Sequence, residues 1–261
     1  MRLIPLFVLA LFAGTQPAAA QDGDQPPRRT RVGIGPQVTP RYPGASTAQW
    51  SPYIDISRTR GDTPFTFEAP DESTGVSLYE DDRLAIGPVV GLQNSRRRRD
   101  TGGALHRVGF TVEPGVSVQY SIAPQLRARL EVRQGIGGHK GLTGLAGIDY
   151  VARDADRWLV SIGPRLTFAD GRYSRAYFGI TPRDATASGL AAYRPGGGVT
   201  ALGAAGSGQY ALGRRWGVFG YAKYDRLTGD AATSPVTRRF GSRDQWSGGV
   251  GLSYTFGRGI R

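Results

Sequence analysis

Beyond an apolar N-terminal stretch, the hydrophobic positions of this chain recur at every second residue and never in long runs. The clearest case is Arg243 to Phe256. Trp246, Gly248, Val250, Leu252, Tyr254 and Phe256 share one face there, and Gln245, Ser247, Gly249, Gly251, Ser253 and Thr255 share the other. A period of two marks a strand with one apolar and one small, polar face. The same alternation sets Leu84, Ile86, Val90 and Leu92 on one face near 83–94, and the even-numbered residues from Val108 to Ile122 on one face of the next segment. Read this way, about twelve strand-like segments follow one another, near 31–39, 49–58, 63–69, 74–80, 83–94, 106–121, 125–136, 141–152, 157–179, 199–211, 215–226 and 243–256. The third and fourth, either side of Pro70-Asp71-Glu72-Ser73, carry the weakest pattern; without them the count is about ten.

Such spacing leaves no room for a separate globular domain. The expected fold class is all-β, a transmembrane antiparallel up-and-down β-barrel over 31–256, with a flexible periplasmic lead at 21–30 and a short tail at 257–261. Arg2, the apolar run Leu3 to Ala13 and the small residues Ala18-Ala19-Ala20 read as a signal peptide over 1–20, cleaved to leave Gln21. An exported chain closing on an alternating strand is expected in the bacterial outer membrane.

Composition agrees with a barrel. The mean hydropathy of −0.32 is that of a soluble chain, but only alternate residues of a barrel strand touch lipid. Glycine, at 39 of 261 residues, suits crowded inward positions and turns. The absence of cysteine excludes disulfides and thiolate metal sites. A formal charge of +12 raises nucleic acid, an anionic surface or an anionic solute as partners, and its placement separates them. In the segment near 125–136, Arg127, Arg129, Glu131 and Arg133 alternate with Leu126, Ala128, Leu130 and Val132. Charges facing lipid near the midplane cost about 2–4 kcal/mol each, so this charge ladder is expected to face the lumen, as ion pairs that fill it or as a selective lining. Arg96-Arg97-Arg98-Arg99 is the densest charge in the chain, a solvated loop or a contact for lipopolysaccharide phosphates, which guanidinium groups bind bidentately. No recognition helix or stacking platform accompanies it, so nucleic acid is not an expected partner.

Short connections at 80–82, 123–125, 153–156 and 213–215 are assigned to the periplasm, and long ones at 95–105, 181–198 and 227–242 to the outside. For this alternation to close, 157–179 must be one strand with Asp170-Gly171 as a bulge. Loop 181–198 is long enough to fold inward as a plug. Trp158 and Trp216 then open strands at the periplasmic rim and Trp50 and Trp246 at the outer rim, forming with Tyr254 an aromatic girdle. Pro88, Pro114 and Pro164 each adjoin a glycine within a strand and are expected to mark bulges.

Catalytic patterns are missing: there is no HExxH, GxSxG, phosphate loop or CxxC. No enzyme activity, metal or cofactor is therefore expected. The two histidines read as structural, His139 in a turn within reach of Glu131 or Asp149 and His106 at a strand edge. Arg60-Gly61-Asp62 reads as a hairpin turn rather than an adhesion motif.

Several local motifs resemble those of the MltA-interacting protein (MipA)/OmpV family: Tyr42-Pro43-Gly44, Gly87-Pro88, Arg133 to His139, Gly163-Pro164-Arg165-Leu166, Tyr177 to Thr181, and Leu227 to Ala232 running into Ser234-Pro235-Val236. The chain departs from the family pattern at Thr233, where an acid is usual, and in extending beyond Phe256. The resemblance implies a monomeric outer-membrane barrel, described in its founding member as a scaffold between a lytic transglycosylase and a peptidoglycan synthase. Relatives are associated with osmotic response, adhesion and antibiotic susceptibility. Expected partners are outer-membrane lipid and lipopolysaccharide, the barrel assembly machinery, which would read Phe256 as its terminal signal, and periplasmic murein hydrolase and synthase. A narrow pore for small anionic solutes is the alternative.

Overall fold

The computed structural model describes residues 26–257; the signal peptide expected over 1–20 and most of the tail expected at 257–261 lie outside them. Ten long strands form the wall: β1 (Arg28–Pro40), β2 (Ala48–Arg60), β5 (Leu84–Gln93), β6 (Thr111–Ala123), β7 (Leu126–Gln134), β9 (Leu142–Asp154), β10 (Trp158–Ala169), β11 (Gly198–Ala211), β12 (Trp216–Leu227) and β13 (Asp244–Gly257). Three two-residue strands, β3 (Thr74–Gly75), β4 (Tyr79–Glu80) and β8 (Ile136–Gly137), pair along β5 and β6. All pairings are antiparallel, in the order β2-β1-β13-β12-β11-β10-β9-β7-β6-β5-β3. First and last long strands meet directly, Ile34 opposite Leu252. The strongly curled sheet is thus an all-β barrel wall.

Its hydrophobicity is inverted relative to a soluble protein. Ile34, Ile54, Val160, Ile162, Val250 and Leu252 are all more than half exposed on the outer face, while Glu131, Asp149, Arg127 and Arg165 are buried within. Lipid is the solvent that makes this arrangement stable.

The segment near 63–69 is not a wall strand. Residues 61–73 leave the foot of β2, run through the lumen and rejoin the wall at β3. Phe65, Phe67 and Ala69 are buried, with Phe67 and Ala69 packed on Val151 and Leu159 from β9 and β10. Main-chain groups of this pass find side chains instead of a ladder: the Phe65 N–H donates to Asp156 (2.9 Å), and the Phe65 and Phe67 carbonyls accept from Arg153 and Arg127 (2.9 Å each). Among the described residues no strand pairs with the outer edge of β2, so the ladder has one seam, between the two wall edges that this inner pass connects.

Two further expectations change. β10 ends at Ala169, and Asp170-Gly171 is a helix start, not a bulge: the Asp170 carboxylate accepts from the Tyr173 N–H at 2.9 Å and caps α1 (Gly171–Phe178). Pro88, Pro114 and Pro164 lie in ladders whose register does not shift around them. Pro88 is accommodated because its main chain faces the ragged side of β5, where its carbonyl accepts from Val76 and the edge between β3 and β4 is broken. The strands also reach further than expected at both ends, β1 beginning at Arg28, inside the lead expected at 21–30, and β13 running to Gly257.

Candidate functional site

The lumen is crossed at mid-height by a belt of ion pairs that grips the inner pass. Alternation along β7 turns Arg127, Arg129, Glu131 and Arg133 inward. Arg133 reaches Glu131 (2.6 Å) and Glu113 of β6 (3.0 Å), and Arg129 reaches Glu131 (2.8 Å). Arg127 pairs with Asp149 of β9 (3.0 Å) and with Glu72 of the inner pass. Asp71, beside Glu72, takes Arg165 of β10 at 2.9 Å and Lys223 of β12 at 3.2 Å. The Ser73 N–H donates to Glu131 (3.1 Å), and the Arg127 guanidinium lies 4.4 Å from the centre of the Phe67 ring. Two acids of one segment are thereby tied to cations on three wall strands. Glu113, Asp71, Glu72, Arg165 and Lys223 join the ladder expected from β7, and Asp71 and Glu72 escape a sequence reading because Pro70-Asp71-Glu72-Ser73 has the composition of a turn.

On the other side of the lumen, β11 and β13 present Ala205, Ser207, Ser247, Gly249 and Gly251. Phe219 and Tyr221 of β12 and Tyr53 of β2 lie over this floor, with ring centres 5.3 and 5.4 Å apart. A Cβ on Gly251 would come 2.4 Å from the Phe219 ring, and one on Gly249 would come 2.8 Å from that of Tyr221. Glycine is required there by close approach, not by backbone conformation.

The end that carries the long loops, expected to be the outer one, is capped. α1, α2 (Pro182–Ser188), α3 (Gly229–Thr233) and α4 (Pro235–Phe240) fill the two long outer loops. Tyr173, Tyr177 and Phe178 from α1 pack with Tyr42, Val108, Ala231 and Ala232. Burying each such ring contributes about 1.5–3 kcal/mol. The inward plug expected of 181–198 is thus supplied by 61–73, and α2 belongs to the cap. Arg96 is completely buried beneath this cap, donating to the Tyr177 carbonyl at 2.6 Å and the His106 carbonyl at 3.3 Å. It cannot meet lipopolysaccharide, in correction of its place in the Arg96–Arg99 group. Arg97, Arg98 and Arg99 remain exposed beside a 3₁₀ turn at the outer end.

Both histidines serve the outer end. Gly141 donates to His139 Nδ1 (3.1 Å), so Nε2 is the donor to Glu113 at 2.8 Å; neither Glu131 nor Asp149 is the partner. His106 precedes β6 in an outer loop, and Asp184 of α2 receives both its ring Nδ1 (2.7 Å) and its backbone N–H (3.0 Å). Burial opposes ionisation of Asp184, but hydrogen bonds from His106 and Thr181 hold its carboxyl below the usual value. Among the described residues no group of three His, Asp or Glu side chains is arranged to hold a metal.

Trp50, Trp158, Trp216 and Trp246 all sit on the lipid-facing side, the first and last toward the capped end and the other two toward the short turns. Tyr254 meets Trp216 edge-on at 4.9 Å, and Phe256 meets Tyr254 at 4.7 Å. Among the described residues the lumen holds a cavity of about 410 Å³ between belt and cap and another of about 530 Å³ at the mouth with the short turns.

Solved structures similar to the chain are outer-membrane barrels. A structure titled KdgM porin shows 12% identity, covering 87% of this chain and 99% of its own, with a TM-score of 0.39. The COG4313 outer membrane channel from Pseudomonas putida F1 shows 11% identity, 91% and 100% coverage and a TM-score of 0.44. The outer membrane protease OmpT from Escherichia coli shows 11% identity, 91% and 99% coverage and a TM-score of 0.27. No curated protein matches the chain. The family model described as MltA-interacting protein MipA matches residues 32–256, from the first strand to the last, and the chain belongs to that family.

Proposed function

We propose that this protein is a structural barrel of the outer membrane, not an enzyme and not a standing pore, whose periplasmic face holds cell-wall enzymes. The observation that carries this reading is the inner pass 61–73, locked across the lumen through Asp71 and Glu72 beneath a closed cap. A lumen filled in this way gives the wall rigidity and leaves the periplasmic turns as the working surface. The family's name points to an MltA-type murein hydrolase as a partner, with a murein synthase as a second. In the same reading Arg97, Arg98 and Arg99 contact lipopolysaccharide phosphates, the tryptophans and Tyr254 anchor the barrel at both interfaces, and Phe256 is read by the assembly machinery, after export on a cleaved signal peptide.

A gated pore for small anions is the second reading, favoured by the cavities on either side of the belt. Planar-bilayer recording separates the two. The wild type is expected to give no steady unitary current, and deletion of residues 63–72 is expected to produce one. A steady current from the wild type would transfer the assignment to the pore.

A further inference from the structure

The two ends of the lumen differ in how their guanidinium groups are satisfied. In the belt, Arg127, Arg129, Arg133 and Arg165 each have a carboxylate within 4 Å. The 530 Å³ cavity at the periplasmic mouth is lined by Arg29, Arg31, Arg157, Arg214 and Arg215 against only two described acids, Asp62 and Asp156. Asp156 is already committed to Arg29 (2.9 Å), Arg153 (3.3 Å) and the Phe65 N–H (2.9 Å). Arg157 leans to Asp154. Arg31, Arg214 and Arg215 have no carboxylate within 4 Å among the described residues; Arg215 touches the Tyr254 hydroxyl (3.2 Å), and Arg31 touches Ser57 Oγ at 3.5 Å, with Asp55, Asp156 and Glu68 near enough to act on its charge without pairing with it.

Arg31 is placed for recognition. Projecting inward from β1, it lies half-buried with its guanidinium 4.5 Å from the centre of the Phe65 ring. Stacking occupies the face of a guanidinium and leaves its in-plane N–H fork free, the geometry that takes an oxyanion bidentately. Its stacking partner belongs to the inner pass, and the Phe65 main chain is fixed by Asp156 and Arg153, so the ring does not depend on a ligand for its place. Gln209, Ser253 and Thr255 add neutral polar groups to the same cavity, whose volume is that of a small-molecule site.

We propose that this vestibule is a binding site for a compact oligoanion, carrying two or more carboxylate or phosphate groups, that enters from the periplasm. Arg31 anchors one oxyanion against the Phe65 ring, and the rim pair Arg214 and Arg215 takes another. The site lies below the belt and functions whether or not the lumen ever conducts.

Isothermal titration of the detergent-solubilised full-length barrel tests this, with citrate as the carboxylate probe and tripolyphosphate as the phosphate probe. One-site saturable binding that weakens with salt is expected, and the tighter of the two probes identifies the oxyanion source. Arg31→Gln is expected to lower affinity at least tenfold, Arg31→Lys to lower it less, and Arg226→Gln, altering the pair with Asp244 at the opposite end, to leave it unchanged. Should Arg31→Gln fail to assemble, the exposed double variant Arg214→Gln/Arg215→Gln carries the same expectation. Absence of saturable binding of either probe at low salt, or an equal loss in Arg226→Gln, would overturn the proposal, the latter by showing diffuse surface charge.

Discussion

The two sides of this lumen are filled by opposite chemistry. Along β6, β7, β9 and β10 the inward side chains are long and charged, and they close on the acids of residues 61–73. Along the middle of β11 and β13 they are glycine, alanine and serine, and the space is taken by neutral rings from β12 and β2. Both sides narrow the lumen, but they depend on different forces. The charged side is held by mutual compensation, in which each buried ion is tolerable only because its partner is present. The aromatic side is held by shape, in which each ring fits because the facing residue lacks a Cβ.

That difference predicts that the charged side is the more fragile. Arg127→Ala would strip Asp149 and Glu72 of a shared cation and leave the Phe67 carbonyl without its donor. Removing one partner of a buried pair costs about 3–5 kcal/mol. The urea midpoint of the refolded barrel in lipid should fall accordingly, and reversing Arg127, Arg129 and Arg133 together to Glu should abolish assembly of the heat-modifiable form. A triple variant that assembles normally would show that the belt is not mutually compensating and would remove the asymmetry between the sides.

Gly251→Val probes the other side. Its first added carbon would lie 2.4 Å from the Phe219 ring and 2.5 Å from the Ile34 carbonyl, and overpacking of this kind costs about 1–3 kcal/mol. The drop in urea midpoint should be smaller than for Arg127→Ala. Combining Gly251→Val with Phe219→Ala should recover part of it, since the collision with the ring is relieved while that with the carbonyl stays. No recovery in the double variant would mean that the ring is not what glycine accommodates.

How much of this was legible follows from the same contrast. Alternation along β7 placed its charges inward with no structure needed, because a lipid-facing Arg is too costly to entertain. The outward tryptophans and the ten wall strands follow from the same period of two. The inner pass does not: Phe65, Phe67 and Ala69 alternate as they would in a wall strand, and an extended segment inside the lumen has the same period as one in the wall. α1 was missed for a related reason. Asp170-Gly171 suits a bulge and a helix cap equally, and the decisive signal was the four-residue step from Tyr173 to Tyr177. Arg96 shows the limit of composition, since nothing in a run of four arginines says which of them the fold will bury.

The smallest expected effect sharpens the comparison most directly, because it tests a polar contact on the aromatic side. The Tyr221 hydroxyl donates to Gln37 Oε1 at 2.5 Å, while the Gln37 amide donates to the Pro52 carbonyl at 3.1 Å. Tyr221→Phe keeps the ring, its packing on Tyr53 and its fit over Gly249, and removes only this neutral bond. A neutral hydrogen bond contributes about 0.5–1.5 kcal/mol net, and the cavity on this side admits water to the freed oxygen of Gln37, which lines it. The unfolding free energy from the urea titration should therefore fall by about 1 kcal/mol or less, well short of the loss for any belt arginine. A loss as large as that of Arg127→Ala would mean that the aromatic side is also held by an irreplaceable polar contact, and that shape alone does not account for it.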